Sequence, residues 1–259
     1  MILINCQQGD DAWKLARAGT ITASMFSVIR KRVGELDEKQ AAYVNAMIDG
    51  KSQAEAMLLA GYKTKPRAAG IERALAGLPV GDWSDAAKDY AFRLAIERIS
   101  GEPLDEGFQT WAMARGHELE PAARSAHEFA ADVTVEPCGL VLTDDRAFGA
   151  SADGFIGDDG GAEYKCLIAP DRLRAVLLDN DLSEFEDQMQ GGMWITGRNY
   201  WHFALYCPAL APIGKELWWR EWKRDDDYIE KMEADLIAFK ALVDQNEARL
   251  RDNGLKAAA

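Results

Sequence analysis

Apolar residues at Ile229, Met232, Leu236, Phe239 and Val243 follow a 3-4-3-4 spacing, which predicts one long helix from Asp227 to Leu250 with a single buried stripe. The period changes to two in residues 199–206. There Trp201, Phe203 and Leu205 face one way and Tyr200, His202, Ala204 and Tyr206 the other, so a strand is expected, and residues 216–222 read as a second aromatic strand. Both strands are expected in the core. Residues 133–142, 148–156 and 162–168 are short β-like runs separated by Asp/Gly turns. Residues 10–29 predict two short helices, the first capped by Asp10 and ended by Gly19, the second opened by Thr22 or Ser24. Ser84 is placed to cap a helix running to Ser100, and a further helix is expected over 108–130, with Pro121 in its first turn or at a kink. Ser183 and Glu186 have capping-box spacing, so another helix should start at 184 and end near Gly197. Helices, a mixed sheet, then helix, strands and helix make an α/β or α+β chain.

With 259 residues, 48% of them hydrophobic and 28% charged, the chain has an ordinary soluble composition and the length of one large domain or of one domain with an insert. No apolar run reaches membrane length, and the N-terminus lacks the charged leader and apolar segment of a signal peptide, so a cytoplasmic protein is expected. Cys6, Cys138, Cys166 and Cys207 form no CxxC pair and are expected as buried free thiols. The formal charge of −13 excludes a uniformly basic nucleic-acid coat, so any DNA contact must use a local basic lining. Residues 30–76 run against this acidity, with nine basic residues and six acidic ones. The domain boundaries read as 1–30 for N-terminal helices, 31–80 for a helical insert with a linker at 79–84, and 81–259 for the main core.

The densest chemistry lies around one turn. Asp153 precedes Gly154, and Glu163 and Lys165 follow ten and twelve residues later. On a strand Glu163 and Lys165 share a face, and a hairpin across 157–161 brings Asp153 beside Glu163. Two adjacent carboxylates suit a hard divalent cation such as Mg²⁺, and the lysine can act on the attacking water or on developing charge. The same pattern also occurs in hairpins without a site. Glu120 and Arg124, four apart on one helix face, are placed to support the pair; Asp144 ends a preceding strand, and Gln188 and Gln190 lie in the helix after Ser183.

The ordered segments GHELEPAAR, GASADGFIG, AEYKC and DQMQGGMWI, with QGDDAWKLARAGTITAS near the start, resemble the lambda-type phage exonucleases and YqaJ-like viral recombinases of the PD-(D/E)xK nuclease superfamily. The resemblance covers residues 7–29 and about 108–222. It implies a restriction-endonuclease-like core, a central mixed sheet flanked by helices, carrying the helical insert. The implied activity is Mg²⁺-dependent 5′→3′ exonuclease action on linear double-stranded DNA, Mn²⁺ substituting, leaving a 3′ overhang for phage recombination. The implied context is a phage- or prophage-encoded homotrimeric ring in a bacterial host, with a single-strand annealing protein as partner. By the same resemblance Asp153, Glu163 and the Tyr164 carbonyl bind metal, Glu120 and Asp144 complete the acidic cluster, Lys165 is the catalytic lysine, and Gln190 (less favoured, Gln188) positions water or phosphate. Arg17 and Ser24 take the terminal 5′-phosphate and Ser151 a backbone phosphate. Bidentate arginine and free N–H groups at a helix start suit such an anion. Ala152 stands where the motif usually has proline, which loosens the turn but removes no ligand.

The segment from Leu36 to Leu75 resembles the helix-turn-helix start of small terminase subunits. Ser52 would cap its second helix, Tyr43, Val44, Met47, Ala56, Leu59 and Ala60 would form its core, and Lys63, Lys65, Arg67 and Arg73 would make a basic edge toward phosphates. A purely structural three-helix decoration is the other reading. For the whole chain the rivals are an endonuclease of the same fold and a non-catalytic DNA-binding adaptor.

Overall fold

The computed structural model describes residues 1–77, 80–104 and 111–252, apart from the Met113 side chain. In chain order the elements are β1 (Ile2–Ile4), α1 (Asp11–Arg17), β2 (Ile21–Thr22), a 3₁₀ turn at Ala23–Met25, α2 (Phe26–Arg30), β3 (Arg32–Val33), α3 (Glu38–Ile48), α4 (Gln53–Leu59), α5 (Ala69–Leu75), β4 (Asp82–Trp83), α6 (Asp85–Ser100), α7 (Trp111–Ala131), β5 (Val135–Glu136), β6 (Leu140–Leu142), β7 (Phe148–Ala150), β8 (Gly154–Ile156), β9 (Gly160–Lys165), α8 (Pro170–Leu177), α9 (Ser183–Thr196), β10 (Tyr200–Tyr206), a 3₁₀ stretch at Pro208–Ile213, β11 (Leu217–Lys223) and α10 (Asp226–Asp252). The chain divides into one compact unit of Met1–Arg30 with Asp89–Ala259 and a second of Lys31–Lys88.

The first unit is built on a five-stranded sheet in the order β11-β10-β9-β8-β5, with β9 and β10 parallel and the other pairs antiparallel. A four-stranded sheet, β1-β6-β7-β2, lies in the same unit, with only β2 and β7 parallel. These mixed sheets with flanking helices are the α/β architecture expected. The alternation of β10 fills both faces of the larger sheet. Trp201, Phe203 and Leu205 pack with Leu182, Phe185, Met189 and Met193 around α9, while Ala204 joins Ala123 of α7, Val135, Ile156, Ala162 and Tyr164 on the other side. Each large apolar side chain removed from water in these layers contributes roughly 1.5–3 kcal/mol.

Close approach of α9 depends on two glycines. A Cβ on Gly191 would lie 2.6 Å from the Phe26 ring, and one on Gly192 2.8 Å from Trp201. The stripe of α10 is buried, and Phe239 stacks on Tyr90 at 5.7 Å between ring centres. Arg30 closes this corner: it ion-pairs with Asp187 of α9, donates to Asp235 of α10 at 3.0 Å and donates to the Tyr228 hydroxyl at 2.8 Å.

Several expectations change. The Ser183–Glu186 capping box does not form; α9 begins at Ser183, whose N–H is taken by Asp181. Strand β9 ends at Lys165 rather than 168, and β1 and α8 are elements the periodicity did not announce, because three residues and two turns are too short to set a period. The cysteines are free, but only Cys207 is buried. The expected helix start over 108–110, and Pro79 of the expected linker, lie outside the described residues. Among the described residues no helix is long and apolar enough to cross a membrane.

The described residues of the second unit include the β3–β4 ribbon and the helices α3, α4 and α5. Asp37 and Ser52 each form a capping box, at the starts of α3 and α4. Tyr43, Val44, Ala46, Ala56, Ala60 and Ile71 form the core, with Met47 packed at its edge. Leu59, expected inside, is 63% exposed, because its place at the end of α4 turns it away from the face that carries Ala56 and Ala60.

Candidate active site

The β8–β9 hairpin sets the centre of the site. Gly154 pairs with Ala162, so one further step of the same antiparallel register sets Asp153 opposite Glu163. The Asp153 N–H donates to the Ala162 carbonyl at 3.1 Å, and Asp153 Oδ2 accepts the Tyr164 N–H at 2.6 Å. Both carboxylates are buried. Burial, then the nearby Glu163 charge, holds the Asp153 carboxyl well above the ordinary carboxylate range. That is the signature of two acids confined without enough positive charge.

Lys165 supplies one cation. Its Nζ donates to Glu163 Oε1 at 2.7 Å and to Gln188 Oε1 at 3.1 Å, while Gln188 Nε2 donates to the same Glu163 oxygen at 2.6 Å. Burial works against the lysine charge, but Glu163 and Asp153 outweigh it and raise the ammonium above its ordinary value. Arg124 supplies the second cation. Its Nη2 donates to Glu120 and to the Asp153 carbonyl, both at 2.8 Å, which ties α7 to the start of β8. Glu120, Asp153, Glu163, Tyr164, Lys165 and Gln188 all line one cleft of about 530 Å³, joined by Arg172, His117 and Ser24.

A smaller cavity of about 90 Å³ adjoins this cleft and shares Gln8, Ser24, Glu163 and Gln188 with it. Its other lining includes Trp13, Arg17, Thr22 and Ser151. Arg17 donates to Thr22 Oγ1 at 3.1 Å, and Thr22 Oγ1 lies 3.4 Å from Ser24 Oγ. Burial pulls the guanidinium below its ordinary value, and among the described residues it makes no ion pair with a carboxylate. A desolvated guanidinium facing a small polar cavity favours an anion there.

Two expected residues are elsewhere. Asp144 is at the β6–β7 turn, at the opposite end of β7 from Asp153; its side chain is 85% exposed and pairs with the N-terminal amine. The structure therefore does not bring it to the acidic cluster. Gln190 is fully buried, its amide donating to the Lys223 carbonyl and accepting the Asp225 N–H. Two residues on a helix are about 200° apart, so α9 can turn only one glutamine toward β9, and that one is Gln188. Ser151 reaches the small cavity, but its hydroxyl already accepts the Trp13 Nε1–H at 2.6 Å and donates to the Gly139 carbonyl at 3.2 Å.

Sequence reasoning missed Trp13, Gln8 and Arg172. Trp13 and Arg17 are four apart on α1, a visible helical spacing. Gln8 lines three adjoining cavities, which only the fold reveals. Arg172 is on α8, an element without a clear signal, and it pairs with Glu184 at 2.7 Å at the side of the cleft.

The donor set fits a hard divalent cation. Asp153 and Glu163 offer oxygen only, and the Tyr164 carbonyl is on the same strand. Among the described residues no group of three or more His, Cys, Asp or Glu side chains is placed to hold a metal ion.

A family model described as YqaJ-like viral recombinase domain matches residues 12–199. Comparison with curated proteins finds no match. Among solved structures, an alkaline exonuclease from Laribacter hongkongensis is 24% identical with a TM-score of 0.68, the match covering 96% of this chain and 100% of that one. Its complex with dAMP matches at the same identity and coverage with a TM-score of 0.69. A phage-related exonuclease from Haemophilus somnus 129PT is 15% identical with a TM-score of 0.58, covering 89% and 96% of the two chains. At these identities the likeness is one of fold.

Proposed function

The chain belongs to the YqaJ-like viral recombinase domain family, and on that premise we propose that it is a Mg²⁺-dependent nuclease. It degrades one strand of linear double-stranded DNA in the 5′→3′ direction and leaves a 3′ overhang for phage recombination. The observation that carries this reading is the small cavity of Arg17 and Ser24 opening beside Glu163 and Gln188. A terminal phosphate held there sets the next phosphodiester near the acid pair and the lysine.

Asp153, Glu163 and the Tyr164 carbonyl would hold the ion, with Mn²⁺ able to replace Mg²⁺. When bound, the ion supplies Lewis-acid charge that offsets the growing negative charge on the phosphate. The protein's own groups do the rest. Lys165 stays protonated and donates hydrogen bonds toward the scissile phosphate or the attacking water, held in place by Gln188 and Glu163. Arg124 keeps Glu120 and the Asp153 backbone in position. Arg17 grips the end phosphate and fixes register, which restricts cutting to termini. A homotrimeric ring on linear DNA and a single-strand annealing partner belong to the same proposal, and so does DNA contact by the Lys31–Lys88 unit through Lys63, Lys65, Arg67 and Arg73.

The test is a time course on end-labelled linear duplex and on covalently closed circles, with Mg²⁺ and with EDTA. Loss of the 5′ label first, intact circles and silence in EDTA are expected. Cutting of circles points to the endonuclease instead. Undiminished digestion by both Glu163→Ala and Lys165→Ala overturns the catalytic assignment. Calorimetry with Mn²⁺ gives a readout apart from activity: Glu163→Ala is expected to lose the binding heat.

A further inference from the structure

Trp13 is half-buried in the wall of the small cavity and makes two directional contacts there. Its Nε1–H donates to Ser151 Oγ at 2.6 Å, and the Arg17 guanidinium carbon lies over its ring at 4.8 Å from the centre. The helix α1 that sets this spacing is anchored by Asp10, whose side chain accepts the Trp13 N–H at 2.6 Å.

Each contact restricts what its partner can do. An indole N–H only donates, so it fixes the Ser151 oxygen as an acceptor and leaves the single hydroxyl hydrogen for another acceptor. In the structure that acceptor is the Gly139 carbonyl, at 3.2 Å. A phosphate oxygen in the cavity offers a charged and stronger one. Its place over the indole face, 4.8 Å from the ring centre, attracts the Arg17 guanidinium to the ring and limits how far it can swing from the cavity. We propose that Trp13 is a positioning residue for recognition of a 5′-phosphate: it holds Ser151 Oγ by its N–H and the Arg17 guanidinium by its ring face, so that both present hydrogens to one phosphate monoester. This rests on the end-phosphate reading of the cavity and adds the residue that pre-sets its donors.

The experiment compares kcat and KM on linear duplexes with 5′-phosphate and 5′-hydroxyl ends for the parent protein, Trp13→Leu, Trp13→Phe and Arg17→Ala. The parent should favour the phosphorylated end. Trp13→Leu removes both contacts and should reduce that preference on the order of tenfold, through a higher KM on the phosphorylated end. Trp13→Phe keeps the ring face and loses the N–H, and should reduce the preference by about threefold. A full preference in a folded Trp13→Leu, or equal loss on both ends, overturns the role of Trp13. If Trp13→Leu does not fold, Trp13→Phe decides alone, an unchanged preference overturning it. A parent without any preference removes the end-phosphate reading itself, and this inference with it. A parent preference abolished by Arg17→Ala but not altered by either Trp13 variant leaves the pocket standing and removes only Trp13.

Discussion

Acid should weaken this fold through one buried histidine pair. His127 of α7 is fully buried; its Nδ1 is 3.0 Å from the Tyr164 hydroxyl and its Nε2 is 2.9 Å from His202 Nδ1. The carboxylate of Glu221, 3.7 Å from His202 Nε2, can only accept, so the chain is satisfied with both rings neutral when every donor runs from Tyr164 through His127 and His202 toward it. Burial, then the neighbouring His202, lowers the His127 pKa from 6.5 to about 4. Above the unfolded value both states are neutral and nothing is lost. As the pH falls below it, the unfolded chain takes a proton that the folded chain refuses, and stability declines until the folded value is reached. Over the full interval this amounts to about 3 kcal/mol, at about 1.4 kcal/mol per pH unit. Between about pH 8 and about pH 5.5, still above the pI, the loss should be about 1.4 kcal/mol. Asp153 acts with opposite sign, because its raised pKa lets the folded state take up a proton first. The measurement is therefore a difference: urea unfolding followed by circular dichroism at both pH values, for the parent and for His127→Gln. Glutamine keeps a donor and an acceptor but cannot titrate. The parent should lose about 1.4 kcal/mol more than the variant over that interval. Equal losses refute the neutral buried pair.

Gln188→Ala should slow digestion of linear DNA by at least about tenfold with little change in urea midpoint. Gln190→Ala, which removes a fully buried side chain and its hydrogen bonds to the Lys223 carbonyl and the Asp225 N–H, should cost about 2 kcal/mol of stability; the reverse outcome would exchange their roles. Asp144→Asn should keep Mg²⁺-dependent digestion within about twofold, as for a surface pair, and a severe loss would return Asp144 to the acidic cluster. Gly191→Ala should destabilise by about 1–3 kcal/mol, measured by urea unfolding, because its methyl group meets the Phe26 ring. Deleting residues 36–76 should weaken duplex binding in a filter or anisotropy assay while hydrolysis persists; equal affinity leaves that unit a structural role only.

The long-period elements were readable because many positions vote for one face. Five apolar residues define α10, and seven alternating ones define β10. The juxtaposition of Asp153 and Glu163 was readable for a related reason: a short Asp/Gly turn leaves an antiparallel hairpin few registers. The choice between Gln188 and Gln190 was not, since it depends on the rotational phase of α9, which Phe26 and Trp201 set through contacts at Gly191 and Gly192. Asp144 failed for a comparable reason. A turn residue follows its strand in sequence, but which end of the hairpin faces the site is decided by β1 and β2 pairing around it. Arg172 carries no signature until the cleft it lines exists, and Trp13 shows only its four-residue spacing from Arg17 on α1.

If the chain is the DNA nuclease proposed above, its acidity requires it to concentrate cations where phosphates come to rest. The two adjoining cavities do this with Arg17 and with Lys165 and Arg172, each restrained by a ring or a carboxylate instead of extended into solvent. Among the described residues Arg17, unlike the other two, is in no carboxylate ion pair, and its hydrogen bond goes to the Thr22 hydroxyl, which an arriving phosphate can displace. Lys165 is bound to Glu163, and Arg172 to Glu184, so both are held back until something competes for their partners. Binding of the end should therefore come first at Arg17 and tighten the second cavity only afterwards. That order predicts that Arg17→Ala raises KM on phosphorylated ends, whereas Lys165→Ala removes turnover and leaves end binding largely intact.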